Sequence, residues 1–155
     1  MKTRNENEIQ VISFRVGSLL IGLELTDVQE INRHCDFARV PNSPKGVRGV
    51  INLRGEVVTM IDLAMLLNQQ TDSCVNTKLH NVFVKYESEL IGLITNGVSD
   101  SMTIHRDSID ALPSNLDIDE ANFFTGVHRL PDGKLMVLLD LNQLLTNVLE
   151  IGSVA

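Results

Sequence analysis

Residues Val40 to Leu63 read V-P-N-S-P-K-G-V-R-G-V-I-N-L-R-G-E-V-V-T-M-I-D-L, and this stretch decides the fold. Its two apolar runs, Val47 to Leu53 and Glu56 to Ile61, are rich in Val and Ile and flank a turn that contains glycine. This pattern predicts a β-hairpin. Arg54 is a poor turn residue, because tight hairpin turns favour Asn-Gly or Asp-Gly, which tolerate positive φ. From this feature alone, a solvated arginine and a functional arginine are equally good interpretations.

The chain contains the same plan twice. Residues 17–23 (G-S-L-L-I-G-L) match residues 87–93 (E-S-E-L-I-G-L), and Val28 then corresponds to Val98. Residues 56–63 match residues 134–141, so that Asp62 corresponds to Asp140. Each copy has four or five short apolar runs and ends in Asp-Leu before a helical pattern. We therefore predict a mainly β protein of two small antiparallel barrels with short helices, because closure limits free strand edges.

The two copies differ at the hairpin turn. The second copy has Asp132-Gly133, the favoured turn pair, where the first has Arg54-Gly55. We expect the glycine of each pair to serve the turn and the arginine to serve a function. Asp62 and Asp140 each precede a short helical pattern, where a carboxylate can accept hydrogen bonds from free N–H groups. We interpret both as helix caps in preference to catalytic acids.

Composition limits the class of protein. The 155 residues suit one domain, and 43% apolar residues are enough for a core, although aromatic residues make up only 4%. The net charge of −7 argues against a nucleic-acid binder, which needs a basic and aromatic face. The polar start, Met1 to Glu8, predicts no signal peptide, and the apolar runs are of strand length. Cys35 and Cys74 predict free thiols in a reducing cytosol.

A catalytic or metal site is not evident in the sequence. His34-Cys35-Asp36 is the one local cluster of reactive residues, but adjacent strand residues point to opposite faces. We therefore predict no catalytic residues, no metal and no cofactor, and we interpret the scattered carboxylates as a solvated acidic face. An acid–base pair among them stays open as an alternative. The four histidines lack the spacing of a metal site: His34, His80, His105 and His128. The scattered carboxylates are Asp100, Asp107, Asp110, Asp117, Asp119 and Glu120.

The motif G-V-I-N-L-R-G-E-V-V-x-x-I-D-L, preceded by V-P-x-x-P, resembles the signature of CheW, the coupling-protein family of bacterial chemotaxis arrays. The resemblance extends from about Ile9 to Leu149. It implies one CheW-like domain over residues 1–155, with a polar tail at 1–8 and two five-stranded SH3-like barrels around a shared core. The half-repeats span about 9–70 and 79–149, and an exchange of strands between them stays open. The family usually has proline at Thr59, which leaves the edge geometry there open.

The resemblance implies a non-enzymatic adaptor between chemoreceptors (methyl-accepting chemotaxis proteins) and the regulatory domain of the histidine kinase CheA. Such a protein is cytoplasmic, is recruited to the inner face of the membrane through receptors, and binds no nucleic acid. Two alternatives stay open. One is an adaptor of a pilus-motility or other array-like pathway, and the other is a small β-barrel enzyme with dispersed acidic catalysts.

Candidate contact residues follow from one strand and one turn. Val28 and Glu30 are two residues apart, so we expect them to share a strand face. Val28 begins the segment V-Q-E-I, which stands where the family has a receptor-contact strand. We expect Arg54 to make polar contacts at a groove, and Glu30 to meet a basic partner or Arg54 itself. We assign the kinase-facing surface only to exposed hairpin edges. By position, the resemblance implies six receptor-facing residues: Val28, Glu30, Ile31, Gly49, Arg54 and Val57.

Overall fold

The structure is a computed structural model that describes residues 6–33, 36–69, 79–114 and 121–150. Within these ranges the chain is mainly β, as the apolar runs predict. The helices are short: α1 (Leu63–Leu66), α2 (Leu141–Leu145), a π-helix at Thr146–Glu150, and 3-10 helices at Leu25–Asp27, Arg106–Ser108 and Ala121–Phe123. The strands are β1 (Glu8–Val16), β2 (Leu19–Glu24), β3 (Val28–Asn32), β4 (Val47–Leu53), β5 (Glu56–Asp62), β6 (His80–Tyr86), β7 (Glu89–Thr95), β8 (Val98–His105), β9 (Ile109–Asp110), β10 (Phe124–Arg129) and β11 (Leu135–Leu139).

Two sheets contain these strands. The six-stranded sheet has the order β8-β1-β2-β11-β10-β9, and the five-stranded sheet has the order β3-β6-β7-β5-β4. Each sheet is built from both halves of the repeat, because the first hairpin of each half pairs with strands of the other half. Each sheet joins the halves by one parallel and one antiparallel pairing. These are β2 with β11 and β1 with β8 in the six-stranded sheet, and β5 with β7 and β3 with β6 in the five-stranded sheet. Neither half of the chain therefore completes a sheet by itself.

The predicted mainly β fold of two related units is confirmed, with two differences in detail. The six-stranded sheet gains its extra strand from β9, which has only two residues. Among the described residues, no backbone ladder joins β8 to β9 or β3 to β4, so neither sheet is closed by backbone hydrogen bonds. In each sheet these two edge strands follow one another in the chain.

Alternation along the strands buries apolar side chains on both faces of each sheet. The largest core cluster lies between the sheets and draws on both: it includes Phe14, Leu23, Ile61, Val82, Val84, Leu93 and Leu144. The opposite face of each sheet has a smaller cluster of its own. These are Ile51, Val58, Met60, Phe83 and Ile94 on the five-stranded sheet, and Val11, Ile104, Met136 and Leu138 on the six-stranded sheet.

Thr59 lies on an interior strand. β5 runs between β7 and β4, and Thr59 pairs with Ile91 on one side and with Val50 on the other. The sheet therefore has no edge at Thr59, because the parallel pairing with β7 covers one side of β5 and the hairpin with β4 covers the other.

Candidate protein-interaction surface

The turn between β4 and β5 consists of Arg54 and Gly55, which have φ of 49° and 87°. Two positive φ values are the pattern of a type I′ turn. The side chain of Asn52 holds the turn, since its Oδ1 accepts a hydrogen bond of 2.9 Å from the N–H of Gly55. Glycine enters the left-handed region freely, whereas a residue with a Cβ does so at a cost of about 1–2 kcal/mol. Arg54 therefore occupies a position that turn chemistry disfavours.

The turn of the second copy has a different geometry. It is a three-residue loop, Pro131 to Gly133, in which the N–H of Gly133 donates to the carbonyl of Leu130 at 2.9 Å. Only its glycine has positive φ, 90°. This is the pattern of a type I turn followed by a left-handed glycine. The prediction that Asp132-Gly133 is the direct counterpart of Arg54-Gly55 is wrong in this respect, because Pro131 adds one residue to the loop.

Arg54 forms an ion pair with Glu30. Its Nη1 and Nη2 donate to the two carboxylate oxygens of Glu30, at 3.0 and 2.5 Å. The side chain of Arg54 is 71% exposed and that of Glu30 is 28% exposed. Glu30 lies on β3, which is one edge of the five-stranded sheet, and Arg54 follows β4, which is the other edge. The ion pair therefore links the two edges that no backbone ladder joins.

The ion pair shifts the titration of both groups. The hydrogen bonds from Arg54 hold the pKa of the Glu30 carboxyl below its ordinary value, and the opposite charge acts in the same direction. The hydrogen bonds to Glu30 likewise raise the pKa of Arg54. The negative charges of Glu30 and Glu56 raise it further. Both groups are therefore charged at neutral pH.

Val28 and Glu30 do not share a face. β3 pairs Val28 with Val84 and Glu30 with Phe83, so two steps along β3 correspond to one step along β6. Opposite residues of an antiparallel ladder point to the same face, whereas Val84 and Phe83 are adjacent and point to opposite faces. Val28 therefore packs toward the core between the sheets, and Glu30 lies on the other face. The prediction of a shared face is wrong because a β-bulge inserts one residue here.

Ile31 and Val57 are exposed apolar residues, with 38% and 74% of their surface accessible. Ile31 pairs with Val82, a member of the core between the sheets. Val57 lies four residues before Ile61, another member of that core, and therefore points to the same face. Both residues thus belong to the face of the five-stranded sheet that looks toward the six-stranded sheet.

Gly49 is buried, in contrast to its assignment as a contact residue. A Cβ at this position would lie 2.3 Å from the carbonyl oxygen of Ala38. The close approach arises because Ala38 and Val50 form a two-way backbone bridge, with hydrogen bonds of 2.8 Å in each direction. The close approach of the Ala38 backbone therefore explains why residue 49 is a glycine, without a binding partner.

Asp62 and Asp140 stand at the N-caps of α1 and α2. The Oδ1 of Asp62 accepts hydrogen bonds from the N–H groups of Ala64 and Met65, at 3.1 and 3.3 Å. Asp140 accepts one such bond, from Gln143 at 3.2 Å. Their engagement with backbone N–H groups matches the expected role as helix caps.

A second surface lies at the other end of the β4–β5 hairpin and was not assigned from the sequence. It is a concavity of about 580 Å³ lined by Phe37, Val40 and Met65. Val40 is 44% exposed and Met65 is 47% exposed. Arg48 stacks over Phe37 at 5.6 Å from the ring centre and pairs with Asp62 at 3.2 Å. The V-P-x-x-P segment was the one sequence signal for this surface, which we call the Val40–Met65 surface.

A further cavity of about 500 Å³ opens between the sheets and includes three carboxylates, Glu24, Asp27 and Asp140, and two basic residues, Lys85 and Arg106. Burial, followed by repulsion from Glu24, raises the pKa of Asp27. No hydrogen bond or ion pair links Asp27 to another described residue.

Several residues singled out in the sequence lie outside the described ranges: His34, Cys35, Cys74, Asp117, Asp119 and Glu120. In the part of the chain that the structure describes, no three His, Cys, Asp or Glu side chains converge as metal ligands would. No helix within the described ranges has the length and apolar character needed to cross a membrane.

A family model for the CheW-like domain matches residues 10–149, which include both sheets and the Arg54 turn. The chain belongs to the CheW-like family. A probable chemotaxis protein CheW from Rhizobium etli is 30% identical over 145 residues, which cover 93% of this chain and 92% of the relative. The chemotaxis protein CheW of Klebsiella aerogenes is 28% identical over 139 residues, or 89% and 82% of the two chains.

The fold of this CheW-like protein is also that of a solved relative. The scaffolding protein TtCheW from Thermoanaerobacter tengcongensis superposes with a TM-score of 0.78 and covers 91% of this chain and 90% of its own. The sequence identity of 24% means that this likeness concerns the fold alone. The family match and the fold likeness therefore agree on a CheW-like domain.

Proposed function

We propose that this CheW-like protein is a non-enzymatic adaptor that couples chemoreceptors to the histidine kinase CheA in bacterial chemotaxis. The observation that supports this role best is the conformation of Arg54. A guanidinium that is 71% exposed is held at the rim of a sheet, on a left-handed residue, by a buttressing carboxylate. Such a residue costs stability in the turn, and a binding role explains why it is there.

The receptor would bind at the rim that joins Arg54 to the apolar residues of the five-stranded sheet. Exposed Val57 and Ile31, with half-buried Val28 beside the core, offer apolar surface to a helical receptor tip. Amphipathic helices commonly dock by such a match of apolar faces. Arg54 would then make polar contacts at the border, while Glu30 fixes its direction and Gly49 supports the strand from inside.

The kinase would bind at the Val40–Met65 surface. This surface and the Arg54 turn lie at opposite ends of one hairpin, so two partners can be bound at the same time. Its apolar floor is bordered by Arg39 and Arg48, which suits a partner with apolar and acidic residues. Two weak contacts in an array strengthen one another through effective concentration. The adaptor would stay in the cytoplasm and reach the membrane through the receptor.

Co-sedimentation with receptor-containing membranes and CheA tests this proposal. We expect Arg54→Glu to reduce the amount that sediments with receptors by about tenfold, which corresponds to the loss of a charge-assisted hydrogen bond. Arg15→Glu makes the same change of charge at an exposed position of β1 and serves as the control. If Arg54→Glu loses receptor binding only in proportion to the fraction of unfolded protein, the arginine is structural.

A second variant separates the two partners. We expect Met65→Glu to weaken CheA binding while receptor binding persists, because Met65 lies at the far end of the hairpin. Loss of receptor binding by this variant at an unchanged melting temperature would contradict the assignment of two surfaces. The kinase that the wild-type protein captures would also decide between flagellar chemotaxis and a pilus-motility or other array-like pathway.

A further inference from the structure

The Glu30–Arg54 pair has an equivalent position in the six-stranded sheet. The repeat relates β3 to β8 and the hairpin β4–β5 to the hairpin β10–β11. The β-bulge is repeated too: the advance of three residues along β8, from Val98 to Ser101, is paired with an advance of only two residues along β1. In the same way, an advance of three residues along β3, from Val28 to Ile31, is paired with an advance of two residues along β6.

Two aspartates occupy the places of the ion pair. In the alignment of the two halves, Asp100 corresponds to Glu30 and Asp132 corresponds to Arg54, although Pro131 makes the turn that contains Asp132 one residue longer. Both aspartates are exposed, and neither forms an ion pair with a described residue. The Oδ1 of Asp132 accepts only a local backbone hydrogen bond, from the N–H of Lys134 at 2.9 Å. The carboxylate on β8 therefore lacks the guanidinium that its counterpart on β3 has.

An exposed apolar residue completes the correspondence. Leu135 is 42% exposed and follows the turn at the position equivalent to Val57, which is 74% exposed. The two sheets thus present the same arrangement of an edge carboxylate, a turn and an exposed aliphatic side chain. They differ in the charge at the turn and in the length of the turn.

We propose that Asp100, Asp132 and Leu135 form a docking surface for a partner protein that inserts an arginine. The inserted guanidinium would take the place beside Asp100 that Arg54 takes beside Glu30. An apolar residue next to that arginine would cover Leu135. This surface lies on the other sheet from both surfaces proposed above, and the inference does not rest on the proposed function.

The chemistry favours arginine over lysine. A guanidinium can donate two parallel hydrogen bonds to one carboxylate, as Arg54 does to Glu30. A second carboxylate, Asp132, adds negative charge on the hairpin that corresponds to the one carrying Arg54. The nearest basic residues in the sequence, Arg129 and Lys134, are exposed and form no ion pair with a described residue.

Amide chemical-shift titration with a defined probe tests the proposal. The probe is a disulfide-closed peptide that carries N-L-R-G-E-V, the sequence of residues 52–57, between two cysteines. The matched control peptide has citrulline for arginine, which keeps the shape and removes the charge. We expect saturable shifts at Asp100, Asp132 and Leu135 with the arginine peptide only, and about tenfold weaker binding to Asp100→Asn. Equal shifts with both peptides, or no shifts there, would overturn the proposal.

A variant of the chain itself gives an independent test. Deletion of Pro131 together with Asp132→Arg recreates a two-residue Arg-Gly turn opposite Asp100. We expect this variant to melt at a higher temperature than the same deletion with Asp132→Asn, and to lose the peptide-induced shifts at Asp100. The gain in melting temperature should disappear when Asp100→Asn is added. If the arginine variant melts like the asparagine variant and still binds the peptide, the two sheets are not equivalent at this point.

Discussion

Glu30 and Arg54 are joined by two hydrogen bonds although they belong to opposite edges of the five-stranded sheet. The ion pair spans the opening that backbone pairing leaves between β3 and β4. It also keeps an exposed guanidinium in one direction at the rim of the sheet. One contact therefore serves the fold and, in our proposal, a partner, and experiments must separate the two roles.

Exchange of the two charges separates them. We expect Glu30→Arg and Arg54→Glu each to lower the melting temperature, since each places like charges side by side. The double variant restores an ion pair, so its melting temperature should return toward wild type. Receptor binding should stay weak in all three, because the double variant presents a carboxylate to the partner. Recovery of both properties in the double variant would assign the pair to the fold alone.

Gly49 and Gly126 should be equally sensitive to a methyl group. A Cβ would lie 2.3 Å from the carbonyl oxygen of Ala38 at the first glycine and 2.6 Å from that of Asp110 at the second. Backbone atoms cannot move aside cheaply, so we expect Gly49→Ala and Gly126→Ala each to destabilise the fold by about 1–3 kcal/mol. Urea unfolding measures this loss. A stable Gly49→Ala that fails to bind receptor would restore Gly49 as a contact residue.

The two caps differ in the number of bonds that each aspartate makes. Asp62→Ala removes two hydrogen bonds to backbone N–H groups and the ion pair with Arg48, whereas Asp140→Ala removes one hydrogen bond. We expect losses of about 1–2 kcal/mol for Asp62→Ala and about 0.5–1 kcal/mol for Asp140→Ala. Asp62→Asn is the matched control, since it keeps a capping oxygen and loses only the charge. An Asp140→Ala variant that is the less stable of the two would contradict this order.

Stability should depend on the charge of Asp27. Because burial and the neighbouring Glu24 raise its pKa, the folded state binds this proton more tightly than the unfolded state does. Its contribution to stability is therefore lost as pH rises through the raised pKa. We expect Asp27→Asn to raise the melting temperature at neutral pH and to have little effect below about pH 3, where the carboxyl is protonated in both states. Asp36→Asn, at an exposed position, is the charge control.

The topology predicts that the halves of the chain depend on each other. The hairpin β1–β2 of the first half lies in the six-stranded sheet, and the hairpin β6–β7 of the second half lies in the five-stranded sheet. Cleavage of the chain within residues 70–78 would therefore give two fragments, each with apolar faces that only the other fragment covers. We expect each fragment alone to lack the circular dichroism and amide-exchange protection of the whole chain, and the mixture to regain both. Independent folding of either fragment would contradict this prediction.

Much of the local structure could be predicted because it depends on nearby residues. The hairpins, the caps at Asp62 and Asp140, and the mainly β class follow from alternation and from side chains within three residues of the groups they bind. The shared face of Val28 and Glu30 could not be predicted correctly. A single extra residue in a ladder reverses the face of everything beyond it, and the bulge depends on the partner strand.

Other features depend on which strands meet. The bridge between Ala38 and Val50 explains the burial of Gly49, and the interior position of Thr59 comes from the pairing of β5 with β7. The Val40–Met65 surface likewise combines a loop with the outward face of α1. None of these contacts joins sequence neighbours, so no pattern within a short window reports them.

The sequence by itself determined that this chain is a duplicated β protein of the CheW-like family, with an arginine in a turn that would be better served by asparagine. These properties are written in residue types and short spacings, which fix local backbone preference and apolar periodicity. Only the tertiary structure decided that the halves exchange hairpins and that Arg54 meets Glu30 across the sheet. The reason is physical: strand pairing and ion pairing between distant segments depend on three-dimensional packing, which brings together residues that the chain keeps apart.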